Sequence, residues 1–497
     1  ASARAAQLFA AVSPVPRMGS QPPIADLHFD DAPDLVTAVP GPESQRLVKK
    51  QQEVDSSAVA YPLSVPIGID SAKGATLRDV DGNTFIDFFA GIGVLNVGHS
   101  NPYVLEGVQA QLEMVAHTID FPTEARIDLI EALDEIAPSG LRGNNRVLFG
   151  GPTGSDAIEA TIKLAKYNTG GSGMIAFRGS YHGASAGALS LTAGVQFKND
   201  YAPLLGDVQH VPFPHPTHSP EVALDVDGEA MCPIEGEDCC GRIECARSLA
   251  NVEELLSDPY AGLPDPAGVW VEPVQATGGL VYPPPGFLRG LKELTEAHGI
   301  PLIVDEIQTG FGRTGEWFAS DLYDVTPDIM PMSKSISGIG LPLAATMYRE
   351  DLDTWGPGGH VGTYRGNAPA MVGGVRAIEY IQDQDLLGHA RRLGRDIGSR
   401  LEDLRADHDR ITDVRGEGLF WGIEFADAAD GTADTDHPEA SDVVNAVQTA
   451  CYESGLLIWK AGRFGEVVRI MPPLVVTEDL LETGLDILTG AVDEVLG

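Results

Sequence analysis

The sequence predicts an α/β protein: a mainly parallel sheet covered by helices, followed by a smaller α+β unit. Through the middle of the chain, short strand-like runs alternate with helical stretches, the pattern of strand–helix crossovers. Beyond Gly366 the order becomes a long helical stretch, a strand, a helix and another strand, which reads as a separate domain. The length of 497 residues exceeds one simple core and suits roughly two to four domains.

The elements follow in order. Residues 1–40 are rich in Pro, Ala and Asp and lack a sustained period, so a loose or partner-wrapping arm is expected. In Ala75-Thr76-Leu77-Arg78-Asp79-Val80-Asp81-Gly82-Asn83-Thr84-Phe85-Ile86-Asp87-Phe88 an Asp-Gly-Asn turn parts two strand-like runs, a hairpin pattern. Asn101-Pro102 opens an amphipathic helix to about Val115. Residues 146–149 read as a strand, 156–167 as a helix, and 174–177 and 269–272 as strands. An amphipathic helix is expected over 286–298, a buried strand over 300–304 and another strand over 343–348. A long helical stretch runs from Gly366 to Ile411, and the chain closes with a strand at 419–425, a helix at 441–454 and a strand at 467–470. There is no internal repeat.

The charge is extreme, 33 basic against 72 acidic residues and a net charge of -39. Such a field repels nucleic acid and anionic membrane, so neither is expected as a partner. The acids are dispersed and lysines are few, which suits a cytoplasm of high salt where self-repulsion is screened. A cytoplasmic, halophilic protein is expected, with no transmembrane run and no signal peptide. Cys232, Cys239, Cys240 and Cys245 cluster without a zinc spacing, and read as an insertion or a surface clip. No metal site is expected.

Three motifs carry chemistry. Phe149-Gly150-Gly151-Pro152-Thr153-Gly154-Ser155-Asp156-Ala157 lies between a strand and a helix. Small residues there let backbone N–H groups and the helix dipole hold a phosphate; the same pattern also suits a plain capped helix start. Leu302-Ile303-Val304-Asp305-Glu306 puts acids at the carboxyl end of an apolar strand. A carboxylate there can hold a ring nitrogen protonated, or simply cap a turn. Lys334 stands between the strand-like Asp328–Ser333 and a flexible turn, Ser335–Gly340. A desolvated lysine there has a lowered pKa, and its neutral amine can form a Schiff base with a carbonyl. Phosphate cradle, acid and lysine together are the three handles of pyridoxal 5'-phosphate.

With these residues in place, the chain resembles the class III (ω-) aminotransferases of fold type I over about residues 40–495. The likeness includes Pro40-Gly41-Pro42, Gly179-Ser180-Tyr181-His182-Gly183, Glu272-Pro273-Val274-Gln275, Asp305-Glu306-Ile307-Gln308, Met332-Ser333-Lys334, Gly362-Thr363-Tyr364-Arg365 and Val414-Arg415-Gly416-Glu417-Gly418. The resemblance implies a large domain with a mainly parallel seven-stranded sheet and a small α+β domain. The expected division is an arm at 1–40, the N-terminal part of the small domain at 41–90, the large domain at 91–360 and the C-terminal small domain at 361–497. It implies that Lys334 binds the cofactor aldehyde and moves the substrate proton, and that Asp305 pairs with the pyridine nitrogen. Gly154 and Ser155 are implied to bind phosphate. Tyr181 is implied to stack on the ring with His182 beside it, and Val274 to cover the other face. Gln308 and Glu272 fall near the ring hydroxyl. Thr363 is implied to reach the cofactor phosphate of a neighbouring subunit, which makes the site dependent on a homodimer. Arg469 matches the arginine that holds a substrate carboxylate.

Two departures bear on the amino donor. Relatives specific for 4-aminobutyrate or ornithine resemble Tyr-His-Gly-Arg, where this chain has Ala184. They also carry an acid where this chain has Thr277, able to neutralise the carboxylate arginine. The stretches 151–160, 181–189 and 352–360 are similar to those of diaminobutyrate:2-oxoglutarate aminotransferases. Transfer of the terminal amine of diaminobutyrate to 2-oxoglutarate is therefore the expected reaction. A 4-aminobutyrate or other ω-amino-acid aminotransferase is the alternative within the family, and an amino-acid racemase the alternative of another class.

Overall fold

The computed structural model describes residues 20–215, 243–426 and 438–497. Fifteen strands form three sheets among the described residues. The first three are β1 (Ile69–Lys73), β2 (Thr76–Asp79) and β3 (Thr84–Asp87). The middle of the chain supplies β4 (Asn145–Leu148), β5 (Gly173–Phe177), β6 (Val208–Val211), β7 (Pro266–Val271), β8 (Leu302–Val304), β9 (Ile329–Met332) and β10 (Ala345–Arg349). The last five are β11 (Ile411–Glu417), β12 (Phe420–Phe425), β13 (Leu456–Leu457), β14 (Trp459–Ala461) and β15 (Val467–Ile470).

The central sheet has seven strands in the order β4-β10-β9-β8-β7-β5-β6. β10 runs antiparallel to both neighbours, and the pairings from β9 through β6 are parallel. Parallel strands are covered on both faces, so they read as unbroken apolar runs. Leu302, Ile303 and Val304 are all fully buried, each worth roughly 1.5–3 kcal/mol of burial. The helix Gly154–Thr169 covers one face and hydrogen-bonds to it, Trp270 Nε1 donating to Thr161 Oγ1 at 2.9 Å. Its start is fixed by a capping box between Thr153 and Asp156, and Gly170, at φ 71°, ends it.

The hairpin pattern at 75–88 is β2 and β3, turning at Gly82. Asp81 in that turn accepts the N–H groups of Glu43 and Ser44, which start the helix Pro42–Val54. This explains Pro40-Gly41-Pro42: a Cβ at Gly41 would lie 2.3 Å from the Asp81 carboxyl carbon. β3 also pairs in parallel with β13, Ile86 opposite Leu456, so segments far apart in sequence share the sheet β1-β2-β3-β13. The third sheet, β11-β12-β15-β14, is antiparallel.

Three expectations differ from the structure. The helical stretch from Gly366 to Ile411 is two helices, Ala368–Asp383 and Leu386–Asp407, parted at Asp385, which takes a left-handed conformation and caps the second. The arm, from Ser20 onward, is packed rather than loose, with Leu27 and His28 buried. The turn after Lys334 is a buried 3-10 turn, Lys334–Ser337, held by Ser335 Oγ donating to Gly93 O at 2.7 Å. Of the cysteine cluster, Cys232, Cys239 and Cys240 lie outside the described residues; Cys245 is buried and disulfide-bonded.

Arg313 joins the central sheet's loops to the third sheet. It is fully buried and donates to the carbonyls of Leu419 and Pro472 and to Asn96 Oδ1. Arg313→Met should lower unfolding stability by about 3 kcal/mol, because three acceptors lose a buried donor. Denaturant unfolding in concentrated salt measures this, and an unchanged midpoint would contradict it.

Candidate active site

The expected site residues follow the carboxyl ends of the strands running with β8, where open α/β sheets bind ligands. β4 leads to Gly154 and Ser155, β5 to Tyr181 and His182, β7 to Glu272 and Val274, β8 to Asp305 and Gln308, and β9 to Lys334. All nine line one cavity of about 190 Å³. Thr153, Gly183, Ile307 and Thr309 complete its wall. Thr363 is exposed and does not line it.

Consecutive residues of an extended chain point to opposite sides, and this divides the two acids after β8. Asp305 faces the cavity. Glu306 faces away and accepts from Thr309 Oγ1, the Ala319 N–H, and the Ser320 N–H and hydroxyl. The turn-capping role foreseen for this acidic pair thus falls to Glu306, and Asp305 is the one left lining the cavity. Burial pushes Glu306 up to about 7 against the pull of those donors.

Asp305 Oδ1 accepts the Ile307 N–H at 3.0 Å, and Oδ2 lies 2.8 Å from His182 Nδ1. Burial alone would lower the His182 pKa, but the bond and charge of Asp305 outweigh it and leave it raised. His182 thus grips the carboxylate. Sequence reasoning placed it only beside the ring, since nothing local to Tyr-His-Gly shows a partner 123 residues away. The buried His182 Nε2 has no partner among the described residues. Glu272 accepts the N–H groups of Tyr181 at 2.8 Å and Ala276 at 3.2 Å. Burial pushes it up to about 7; His182 opposes the rise and Asp305 adds to it.

At the other end of the cavity, Ser155 stands in the first turn of the helix Gly154–Thr169, and its hydroxyl accepts the Ala184 N–H at 3.1 Å. Gly183, at φ 128°, passes so close that a Cβ there would lie 2.2 Å from Ser155 Oγ. A close-walled turn of this kind at a helix start is one that can hold an anion. Between the two ends, Lys334 Nζ donates to Gln308 Oε1 at 2.8 Å. The Lys334 backbone is held at φ 51°, an uncommon conformation for a side-chain-bearing residue. Burial pushes its amine down to about 7; Arg469 adds to this, while Asp305 and Glu272 oppose it. An orphaned histidine nitrogen, an acid at the strand end, a phosphate-sized cradle and a neutralisable amine fit pyridoxal phosphate.

Arg469, on β15, is buried rather than on a surface strand, and its Nε has no partner among the described residues. Tyr61, which no motif pointed to, lies near enough to influence both Arg469 and Tyr181. Arg415 of the Val-Arg-Gly-Glu-Gly motif holds the wall in place by donating to the carbonyls of Gly279 and Leu280.

Residues 58–492 match the family model for aminotransferase class-III. The chain is 37% identical over 450 residues to a diaminobutyrate–2-oxoglutarate aminotransferase of Rhizobium meliloti, covering 90% of this chain and 92% of that one. It is 32% identical to an alanine/serine racemase of Pyrococcus horikoshii, covering 93% of each. The fold superposes on the crystal structure of an ornithine aminotransferase from Toxoplasma gondii with a TM-score of 0.74 at 27% identity, covering 91% of this chain and 95% of that one.

The Lys334 environment is testable in the cofactor-free chain. Labelling of Lys334 by an amine reagent, followed by peptide mapping, should rise with pH and reach half its maximum near pH 7. Arg469→Met should move that midpoint upward, because a charge favouring the neutral amine is gone. A wild-type midpoint near 10, the range of an ordinary lysine, would exclude a desolvated amine.

Proposed function

The chain is a class III aminotransferase, a pyridoxal-phosphate enzyme, and from that premise we propose that it moves the terminal amine of L-2,4-diaminobutyrate to 2-oxoglutarate. The products are glutamate and aspartate 4-semialdehyde. The observation that carries this reading is the 37% identity with the diaminobutyrate enzyme over 90% of the chain. Ala184, where relatives specific for 4-aminobutyrate carry an arginine, sets the chain apart from their pattern.

The bound cofactor supplies an aldehyde and a ring that withdraws electrons from the substrate carbon. In this reading Asp305 keeps the pyridine nitrogen protonated, and His182 fixes the carboxylate that does so. Ser155 and the first N–H groups of the helix Gly154–Thr169 hold the phosphate. Val274 and Tyr181 bound the two faces of the ring, with Gln308 and Glu272 on its hydroxyl side. Lys334, freed as a neutral amine, moves the proton at the substrate carbon, a role suited to a pKa near 7. Arg469 receives the carboxylate of glutamate or 2-oxoglutarate.

A homodimer is part of the proposal. Thr363 belongs to an exposed segment, and Val361 and Tyr364 beside it are 71% and 67% exposed. Met114 and Phe121 add further exposed apolar side chains, and Tyr364 touches His117 at 5.4 Å between ring centres. Such a surface suits a second copy whose cofactor phosphate Thr363 would reach. We also infer a salt-rich cytoplasm from the net charge of -39; no described helix is long and apolar enough to cross a membrane.

Racemisation is the second reading, supported by the 32% identity with the alanine/serine racemase. Both reactions begin with loss of a proton to Lys334, but racemisation uses no oxo-acid acceptor. In a half-reaction followed by cofactor absorbance, L-2,4-diaminobutyrate should convert the cofactor to its amine form at least about tenfold faster than 4-aminobutyrate, from which it differs by its 2-amino group, the scale of one hydrogen bond to a charged group. A faster reaction with 4-aminobutyrate would overturn the donor assignment, and inversion of an amino acid without an acceptor would favour the racemase.

The salt inference has its own test. Activity should require salt on the order of 1 M, where the screening length falls to about 3 Å. Full activity in dilute buffer would contradict it.

A further inference from the structure

Arg469 differs from the other shielded arginines around it. Arg415, on the same sheet, is held by Asp413 at 2.7 Å and Glu424 at 2.6 Å. Arg313 donates to two carbonyls and Asn96. Arg469 is only 4% exposed. Among the described residues its side chain makes no ion pair, and its buried Nε meets no acceptor. In a chain with 72 acidic residues, no described carboxylate pairs with this guanidinium.

Its position follows from the strand. Val467 and Arg469 share one face of β15, and Met471 stands one residue past its end at Ile470. Val467 and Met471 pack against Val274, Ala276 and Leu280. Met471 Sδ lies 3.6 Å from Gln308 Nε2, and Gln308 Oε1 accepts Lys334 Nζ. Arg469 does not line the cavity itself but lies behind its Lys334 side, near enough for its charge to act on the Lys334 amine. Tyr61 is its polar neighbour, set in an aromatic wall with Trp459 at 5.0 Å.

A cation withdrawn from water needs a counter-charge. Glutamate and 2-oxoglutarate bring one as a carboxylate. A donor entering by its terminal amine keeps its carboxylate at the far end and brings none to this arginine. We propose that Arg469 is a binding site for a small monovalent inorganic anion, chloride above all, which neutralises it while the amino donor is bound and leaves when a substrate carboxylate enters. This rests on the reading of Arg469 as the carboxylate site. It makes one half-reaction dependent on chloride and the other competitive with it.

The test uses the wild-type holoenzyme, with sodium chloride exchanged for sodium isethionate at fixed ionic strength. Chlorine-35 resonance should show line broadening that 2-oxoglutarate displaces. Chloride should slow the glutamate half-reaction competitively. It should also speed the diaminobutyrate half-reaction saturably, by at least about tenfold, the lower end for a charge pair shielded from water. Thr277→Glu, which supplies the acid that relatives carry at this position, should abolish the acceleration. Absence of displaceable broadening, or equal half-reaction rates in the two salts, overturns the proposal. Competition with glutamate but no acceleration of a reactive donor overturns the neutralising role. If diaminobutyrate proves unreactive, the donor assignment fails, while the broadening and the competition with glutamate still decide whether the anion site exists.

Discussion

The buried contact between His182 and Asp305 is the interaction on which the rest of the site depends. It ties the loop after β5 to the end of β8, across the intervening β7. A carboxylate at the mouth of an all-apolar strand is costly unless it is paired and hydrogen-bonded. Here a histidine and a backbone N–H satisfy it from two directions, so Asp305 keeps its place and orientation. Glu272 lies in the same electrostatic neighbourhood, and its rise to about 7 eases the crowding of two acids around one histidine. The charge around Lys334 is thereby balanced, with Asp305 and Glu272 on one side and Arg469 and Arg313 on the other.

The surrounding architecture serves that arrangement through rigidity. The loops that meet at the cavity are braced from behind by buried groups that never face it. Glu306 binds the segment Thr309–Ser320, Arg415 holds the wall at Gly279 and Leu280, and Arg313 links the loops after β8 to β12 and the end of β15. The turn bearing Lys334 is likewise secured by Ser335, so movement is left to the lysine side chain rather than its backbone.

Much of this was legible in the sequence because the relevant signals are local. The unbroken run Leu302–Val304 marks a strand buried on both faces, and Thr153 with Asp156 marks a helix start. The residues Lys334, Asp305 and Ser155 each stand at such a punctuation point, and the cavity gathers them as expected. What was missed depends on distant partners or weak patterns. β1 is half exposed and carries Asp and Lys, β13 has only two residues, and both owe their pairing to neighbours rather than to periodicity. The break between the two helices after Gly366 rests on the backbone of Asp385, and no glycine or proline marks it. The grip of His182 on Asp305 and the approach of Tyr61 to Arg469 are tertiary facts with no local trace.

The parallel pairing of β3 with β13 has a consequence for how the chain is made. Ile86 receives its partner Leu456 only after 370 further residues have been added (456 minus 86). At the roughly 5–20 residues per second of translation, that interval is on the order of tens of seconds. Throughout it the outer edge of the β2–β3 hairpin, bridged by Asp34 at Thr84, stays open beyond that point as a template for another nascent chain. Its defences are brevity, four residues, and an acid at the end, Asp87. Synthesis thus imposes an order of assembly, with the central sheet free to form while the smaller sheet waits for the segment around Leu456 to leave the ribosome.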